Sequence, residues 1–266
     1  MKNILLLVHE DAGQEARLQA ALDLTRALGG HLRCVDVSMM PAFAGDYYYG
    51  AIGEAMVFAE EQERESKNKS KLEARLASED VSWDWVDYTG SLAQGVQDSA
   101  ALADLIVLNR KLDTFPYPDM REVASQVLVH GRRPVVAVPD ELDHFALGRA
   151  LVAWDGQASS AEAMRSCVPL LALASEVEIF MIRDGAEQIE PTEAAEYLSR
   201  HGIHASVMVI EDGLTAPDYL IAAECARWHA DYVVMGAYGH GRMMETFGGV
   251  TKRMLADSKL PLILAH

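Results

Sequence analysis

The stretch Ala230-Asp231-Tyr232-Val233-Val234-Met235-Gly236-Ala237-Tyr238-Gly239-His240-Gly241-Arg242 decides the fold, because an apolar run stops abruptly in a glycine loop. After a spacer come Gly248-Gly249-Val250-Thr251 and then a helical pattern, with Met254 and Leu255 apolar and Lys252, Arg253 and Lys259 polar, closing at Pro261. Strand, glycine loop, glycine pair and helix, in that order, are how a parallel sheet presents free backbone N–H groups to an anion. Glycine admits close approach and positive φ, and the helix start offers unpaired donors and a favourable dipole. The sequence therefore predicts an anionic ligand at this loop.

Working outward, the same pattern occurs earlier in the chain. Ala103-Asp104-Leu105-Ile106-Val107-Leu108-Asn109 falls on Ala230-Asp231-Tyr232-Val233-Val234-Met235-Gly236. An unchanged offset then lays Val123 to Leu128 on Val250 to Leu255, and Pro134-Val135-Val136-Ala137-Val138 on Pro261-Leu262-Ile263-Leu264-Ala265. The openings also match, Leu5 to Glu10 against Leu151 to Gly156, at a longer offset that places extra residues of the first half in the loop Pro41 to Val57. That loop holds Tyr47-Tyr48-Tyr49 between Gly45 and Gly50 and reads as a lid or packing insertion, with an aromatic ligand cage as the alternative.

Each half alternates strand and helix. The first predicts strands at 4–8, 31–37, 82–88, 105–108 and 135–138. Its helices follow Asp11 as a cap, run near 60–78, 92–102 and 121–130, and Gly29-Gly30 ends the first of them. The second predicts strands at 150–154, 177–182, 203–210, 232–235 and 262–265. Its helices are one with Ser159 and Glu162 at capping-box spacing, then 193–201 closed by Gly202, 216–228, and one from about 250. Such alternation makes parallel sheets covered by helices on both faces, an α/β fold of two doubly wound domains, 1–142 and 143–266. The last strand of each half is short, apolar and preceded by proline. As an exposed edge it would seek a partner, so Val135 to Val138 is predicted to pair with Leu262 to Ala265 about a pseudo-two-fold axis. The acidic connector Asp140 to Gly148 reads as a short exposed linker.

Half of the 266 residues are hydrophobic and a quarter charged, which describes a globular chain. No apolar run approaches the roughly 18 residues of a membrane span. Met1-Lys2-Asn3 leads straight into Ile4 to Val8 without a small-residue cleavage site, so the expected location is the cytoplasm. Cys34, Cys167 and Cys225 are widely spaced and odd in number, which fits a reducing compartment and buried small hydrophobes better than a zinc site. A formal charge of −17 repels nucleic-acid phosphates and anionic lipid, so neither is an expected partner. Any phosphate site must work locally against that field.

The residues resemble the universal stress protein family in its tandem form, over nearly the whole chain. The second half carries the motifs: Val152-Ala153-Trp154-Asp155-Gly156, then Met235-Gly236-Ala237-Tyr238-Gly239, then Gly248-Gly249-Val250-Thr251. The resemblance implies two Rossmann-like, adenine-nucleotide alpha-hydrolase-like domains. In nucleotide-binding members the first-strand aspartate meets the adenosine part and a loop Gly-x-x-Gly-x9-Gly-Ser/Thr holds the phosphates. It implies that Ala153, Asp155 and Ile182 flank base and ribose, with Met235, Gly236, Tyr238 and Gly239 beneath, and that Gly248, Gly249 and Val250 face the phosphates, with Thr251 beside them. On this sequence's own chemistry Asp155 could instead cap a turn, and the glycines could serve chain reversal alone. Two departures weaken the match. Eight residues rather than nine separate Gly239 from Gly248, and Gly249 replaces the hydroxyl residue, a loss on the order of 1 kcal/mol.

The first half departs further. His9 stands in place of the aspartate, Asn109-Arg110-Lys111-Leu112 replaces the glycine loop, and Arg121-Glu122 replaces the glycine pair. No triphosphate is expected there. Arg110 and Lys111 read as two solvated charges, with some other anion site as the alternative.

For catalysis the sequence offers little. It has no His-Glu-x-x-His, Gly-x-Ser-x-Gly, Walker or dinucleotide motif, and His201 and His204 do not share a helix face. The expectation is a stress-response regulatory protein that binds ATP or AMP, with or without Mg²⁺, in its second half and engages an unidentified protein partner. A further homodimer beyond the intramolecular pseudo-dimer stays open. The alternatives are a slow ATPase, with Asp155 or His240 ordering water or metal, and a nucleotide-free scaffold.

Overall fold

The computed structural model describes residues 1–39, 50–110, 120–183, 189–237 and 249–266, with the backbone alone for 39, 50–62 and 121. The first half runs β1 (Asn3–Val8), α1 (Gln14–Leu28), β2 (His31–Met39), α2 (Gly50–Leu76), β3 (Ser82–Gly90), α3 (Leu92–Ser99), β4 (Leu105–Asn109), α4 (Met120–Gly131) and β5 (Val135–Val138). The second runs β6 (Arg149–Trp154), α5 (Ala158–Ser166), α6 (Val168–Leu171), β7 (Glu176–Arg183), α7 (Pro191–Arg200), β8 (Ala205–Glu211), α8 (Pro217–Trp228), β9 (Tyr232–Gly236), α9 (Gly249–Asp257) and β10 (Leu262–Ala265).

Among the described residues the strands join one ten-stranded sheet, in the order β3-β2-β1-β4-β5-β10-β9-β6-β7-β8. Within each half every pairing is parallel. Central strands such as Leu105–Asn109 are buried along their whole length, as a sheet covered on both faces requires. Side chains alternate between two apolar layers. Ile4, Leu6 and Val8 join α1, α2, α5 and α7 on one face, while Leu5 and Leu7 join α3, α4, α8 and α9 on the other.

The halves meet where the sequence predicts. β10 pairs antiparallel with β5, in the register Leu262 to Ala137, Ile263 to Val136 and Leu264 to Val135. The pair centred on Val136 and Ile263 lies on the pseudo-two-fold axis, and each strand covers what would otherwise be the other's open edge. Both residues are fully buried.

Four local expectations are corrected. The connector between β5 and β6 is anchored rather than simply exposed: Phe145 is buried, its ring lies 5.5 Å from that of Tyr232, and its backbone N–H donates to Asp23 at 2.9 Å. Asp11 does not cap α1. Its carboxylate accepts from the Gly13 N–H at 2.8 Å and pairs with Arg17, and the helix begins after Gly13 without a side-chain cap. Ser159 and Glu162 form no capping box, since α5 starts after Gln157 and Glu162 pairs with Arg165. The long helix of the first half begins at Gly50, so part of the inserted segment is helical, while 40–49, including Tyr47 to Tyr49, lies outside the described residues. Gly29 ends α1 as expected, in the left-handed conformation at φ 54°. Among the described residues no helix is long and apolar enough to cross a membrane.

Truncating Ile263 to Ala removes apolar contact from the middle of the joint. Its unfolding free energy is expected to fall by about 2–5 kcal/mol, read by urea titration. An unchanged midpoint would mean that the joint carries little of the stability.

Candidate functional site

In the second half the chain passes from β6 outward to β7 and β8, then returns to β9 on the other side of β6. Crossover helices leave in opposite directions at such a reversal and open a crevice beyond the carboxyl ends of the strands. A cavity of about 460 Å³ lies there, within the range of small-molecule sites. It is lined by the ends of β6, β7 and β9, the loop between β8 and α8, and the first turns of α5 and α9.

Eight of the residues singled out in the sequence share this cavity: Ala153, Asp155, Ile182, Met235, Gly236, Gly249, Val250 and Thr251. Tyr238, Gly239 and Gly248 lie outside the described residues. Ala153, Ile182 and Met235, with Phe180, supply apolar walls. Asp155 makes the turn that its residue type allows, its Oδ1 accepting from the Gln157 N–H at 2.9 Å. Oδ2 has no hydrogen bond among the described residues, so the carboxylate retains an acceptor at the cavity.

Gly236 has a packing role as well. A Cβ there would lie 2.6 Å from the Ser160 nitrogen and 2.7 Å from the Ser159 carbonyl carbon, so only glycine lets the start of α5 sit against the end of β9. A Gly236→Val variant would therefore disturb the fold along with the site. At Gly249 the constraint is a side chain, since a Cβ would lie 3.2 Å from Nη1 of Arg253.

Sequence reasoning missed Trp154, Ser160, Phe180, Asp212, Gly213, Thr215, Pro217, Ile221 and Arg253 as lining residues. The turn composition Asp212-Gly213 and the helix-starting Pro217 were the available signal for the β8–α8 loop. Asp212 organises that loop by accepting from the Leu214 and Thr215 amides at 2.8 and 2.9 Å. Those bonds, Thr215's first, hold its carboxyl below the usual range. Arg253 donates from Nε to Asp218 Oδ1 at 2.7 Å. Among the described residues no cluster of three His, Cys, Asp or Glu side chains is placed to hold a metal ion.

In the first half a buried polar cluster packs against the end of β1. The fourth residue of α1 is Arg17. The buried Arg17 guanidinium donates to the carbonyls of Leu7 and His9, both at 2.9 Å, and to Asp11. His9 is buried against Glu65 of α2 at 3.1 Å. Burial pushes the Glu65 carboxyl up, but the hydrogen bond and charge of His9, with Arg64 and Asn68, outweigh it and leave the group below its ordinary range. Gln14 and Asn68 exchange two hydrogen bonds of 2.7 Å beside them. The solvated reading of Arg110 is corrected: it is part-buried, bonds the Ser258 carbonyl of the other half, and burial lowers its pKa against the pull of Asp140 and Asp257. Lys111 lies outside the described residues.

One charged cluster lies under α8. Glu178 on β7 is buried, with Arg227 at 3.6 Å from its Oε2, and Arg227 also bonds both oxygens of Glu224 at 3.0 and 2.9 Å. Burial, then the hydrogen bond and charge of Glu224, push the Glu178 carboxyl up to about 7, with Arg227 opposing. The Glu224 carboxyl moves the other way, held low chiefly by the Arg227 hydrogen bond.

No family model and no curated protein matches the chain. Solved structures do. A universal stress protein from Archaeoglobus fulgidus DSM 4304 superposes with a TM-score of 0.74 at 16% identity, covering 99% of this chain and 97% of that one. A functionally unknown protein from Pseudomonas aeruginosa PAO1 gives 0.57 at 14% identity, over 99% of this chain and 92% of its own. The chain thus has the tandem universal stress protein fold, two α/β halves joined into one mixed, mostly parallel sheet.

A glutamate whose pKa is raised on folding stabilises the fold while protonated; that contribution is full below the ordinary glutamate pKa and is lost as pH rises through about 7. The thermal midpoint is therefore expected to fall between mildly acidic pH and about pH 8, and to fall less in Glu178→Gln. Equal slopes in the two proteins would contradict this assignment.

Proposed function

We propose that this chain is a regulatory member of the tandem universal stress proteins, divided at 142 and 143, whose second half binds an adenine nucleotide, ATP or AMP, without robust catalysis. The observation that carries the reading is the convergence of separated sequence segments on one cavity. Asp155, Met235-Gly236 and Gly249-Val250-Thr251 come from three elements and meet beyond the sheet at its reversal point. The apolar walls suit a purine, and Oδ2 of Asp155 can accept from a ribose hydroxyl or the adenine amino group. The first amides of α9 lack intrahelical partners and favour a phosphate. In the first half His9, paired with Glu65, stands where the sequence match would put Asp155, and the glycine loop and glycine pair are replaced, so one nucleotide per chain is expected. Bound nucleotide changes what the site presents to a protein partner. Three free, buried cysteines, whose thiols burial pushes up to about 12, suit work in the cytoplasm.

Calorimetry with ATP and AMP tests this on the intact chain and on Asp155→Asn, which keeps the acceptor for the Gln157 amide and removes the charge. Saturable binding near one equivalent is expected, weakened roughly ten-fold or more in the variant by loss of a charge-assisted hydrogen bond. Absence of heat from either nucleotide, with the intact chain folded, would leave the fold as a scaffold.

A further inference from the structure

The cavity contains a side chain whose role the nucleotide reading leaves unassigned. Among the described lining residues Arg253 is the single cation, beside two carboxylates, Asp155 and Asp212, in a chain of net charge −17. An anion entering against that field needs a fixed local cation.

Arg253 is held in a particular way. Its Nε donates to Asp218 Oδ1 at 2.7 Å, and Asp218, next to the helix-starting Pro217, is almost fully buried. Neither terminal nitrogen has a hydrogen bond among the described residues, and the side chain is 46% exposed. A guanidinium tethered through Nε keeps its two Nη groups forward, a fork matching two oxygens of one phosphate. Nη1 also lies 3.2 Å from the place a Cβ of Gly249 would occupy, so the fork lies across the first turn of α9, beside that helix's unpaired amides. The missing side chain at Gly249, which costs a hydroxyl donor, is what gives the guanidinium room.

We propose that Arg253 binds the ligand's phosphate directly and that Asp218 positions it. The inference rests on the nucleotide reading of the cavity and adds to it a side-chain determinant that separates phosphorylated from bare nucleosides.

The test compares adenosine, AMP and ATP by calorimetry on the full chain, on Arg253→Ala and on Arg253→Lys, with thermal midpoints recorded for each. Arg253→Ala is expected to weaken AMP and ATP roughly ten- to hundred-fold while adenosine is unchanged. Arg253→Lys, which keeps a charge but loses the fork, should fall between. If Arg253→Ala binds AMP as the parent does, or loses adenosine and AMP equally, Arg253 is a structural partner of Asp218 and the inference is overturned while the cavity's reading survives. A parent chain that binds none of the three removes both.

Discussion

The antiparallel pairing of β5 with β10 is the constraint on which the rest of the molecule depends. Each half ends in a four-residue apolar strand that alone would expose a row of unpaired backbone groups. Pairing them removes both edges, makes the two apolar layers continuous across the chain and fixes the two halves back to back. The reversal points of the sheet, at β1 and at β6, are then held on rigid strands at opposite sides of the joint.

On that shared frame the two halves differ at the ends of β1 and β6. Arg17 satisfies the carbonyls of Leu7 and His9 at the end of β1. The longer α2 brings Glu65 and Asn68 against His9 and Gln14, and His9, where the sequence match would put Asp155, is the partner of Glu65. Buried charge is costly unless paired, and each of these groups has its partner, so the first half holds a satisfied polar cluster at the end of β1. Arg110, just after β4, reaches the Ser258 carbonyl after α9 and ties one half to the other.

Much of this was legible in the sequence because strands and helices write their periods locally. The continuous apolar runs at 105–108 and 232–235 and the glycines that close two of the helices, Gly29 and Gly202, marked the elements, and proline before an apolar tetrad marked the two joining strands. The start of α2 at Gly50 was missed because glycines at 50 and 53 argue against helix by propensity. The anchored connector was missed because an acidic, Pro-flanked run looks solvated, and a single Phe145 reaching Tyr232 leaves no periodic trace. At the site, Asp155, Met235-Gly236 and Gly249 to Thr251 were readable as motifs. Arg253, Asp212 and Phe180 were not, since they reach the cavity only because the crossing of α8, α9 and β7 brings them there.

On the proposed reading, one fold used twice offers a nucleotide site once. A crystal structure of the chain grown with AMP or ATP tests it most directly. Density for one nucleotide between Asp155 and the start of α9, with none beside Arg17 and His9, is the result expected. A nucleotide in the first half, or a second-half cavity closed over by protein in the presence of saturating ligand, would contradict it.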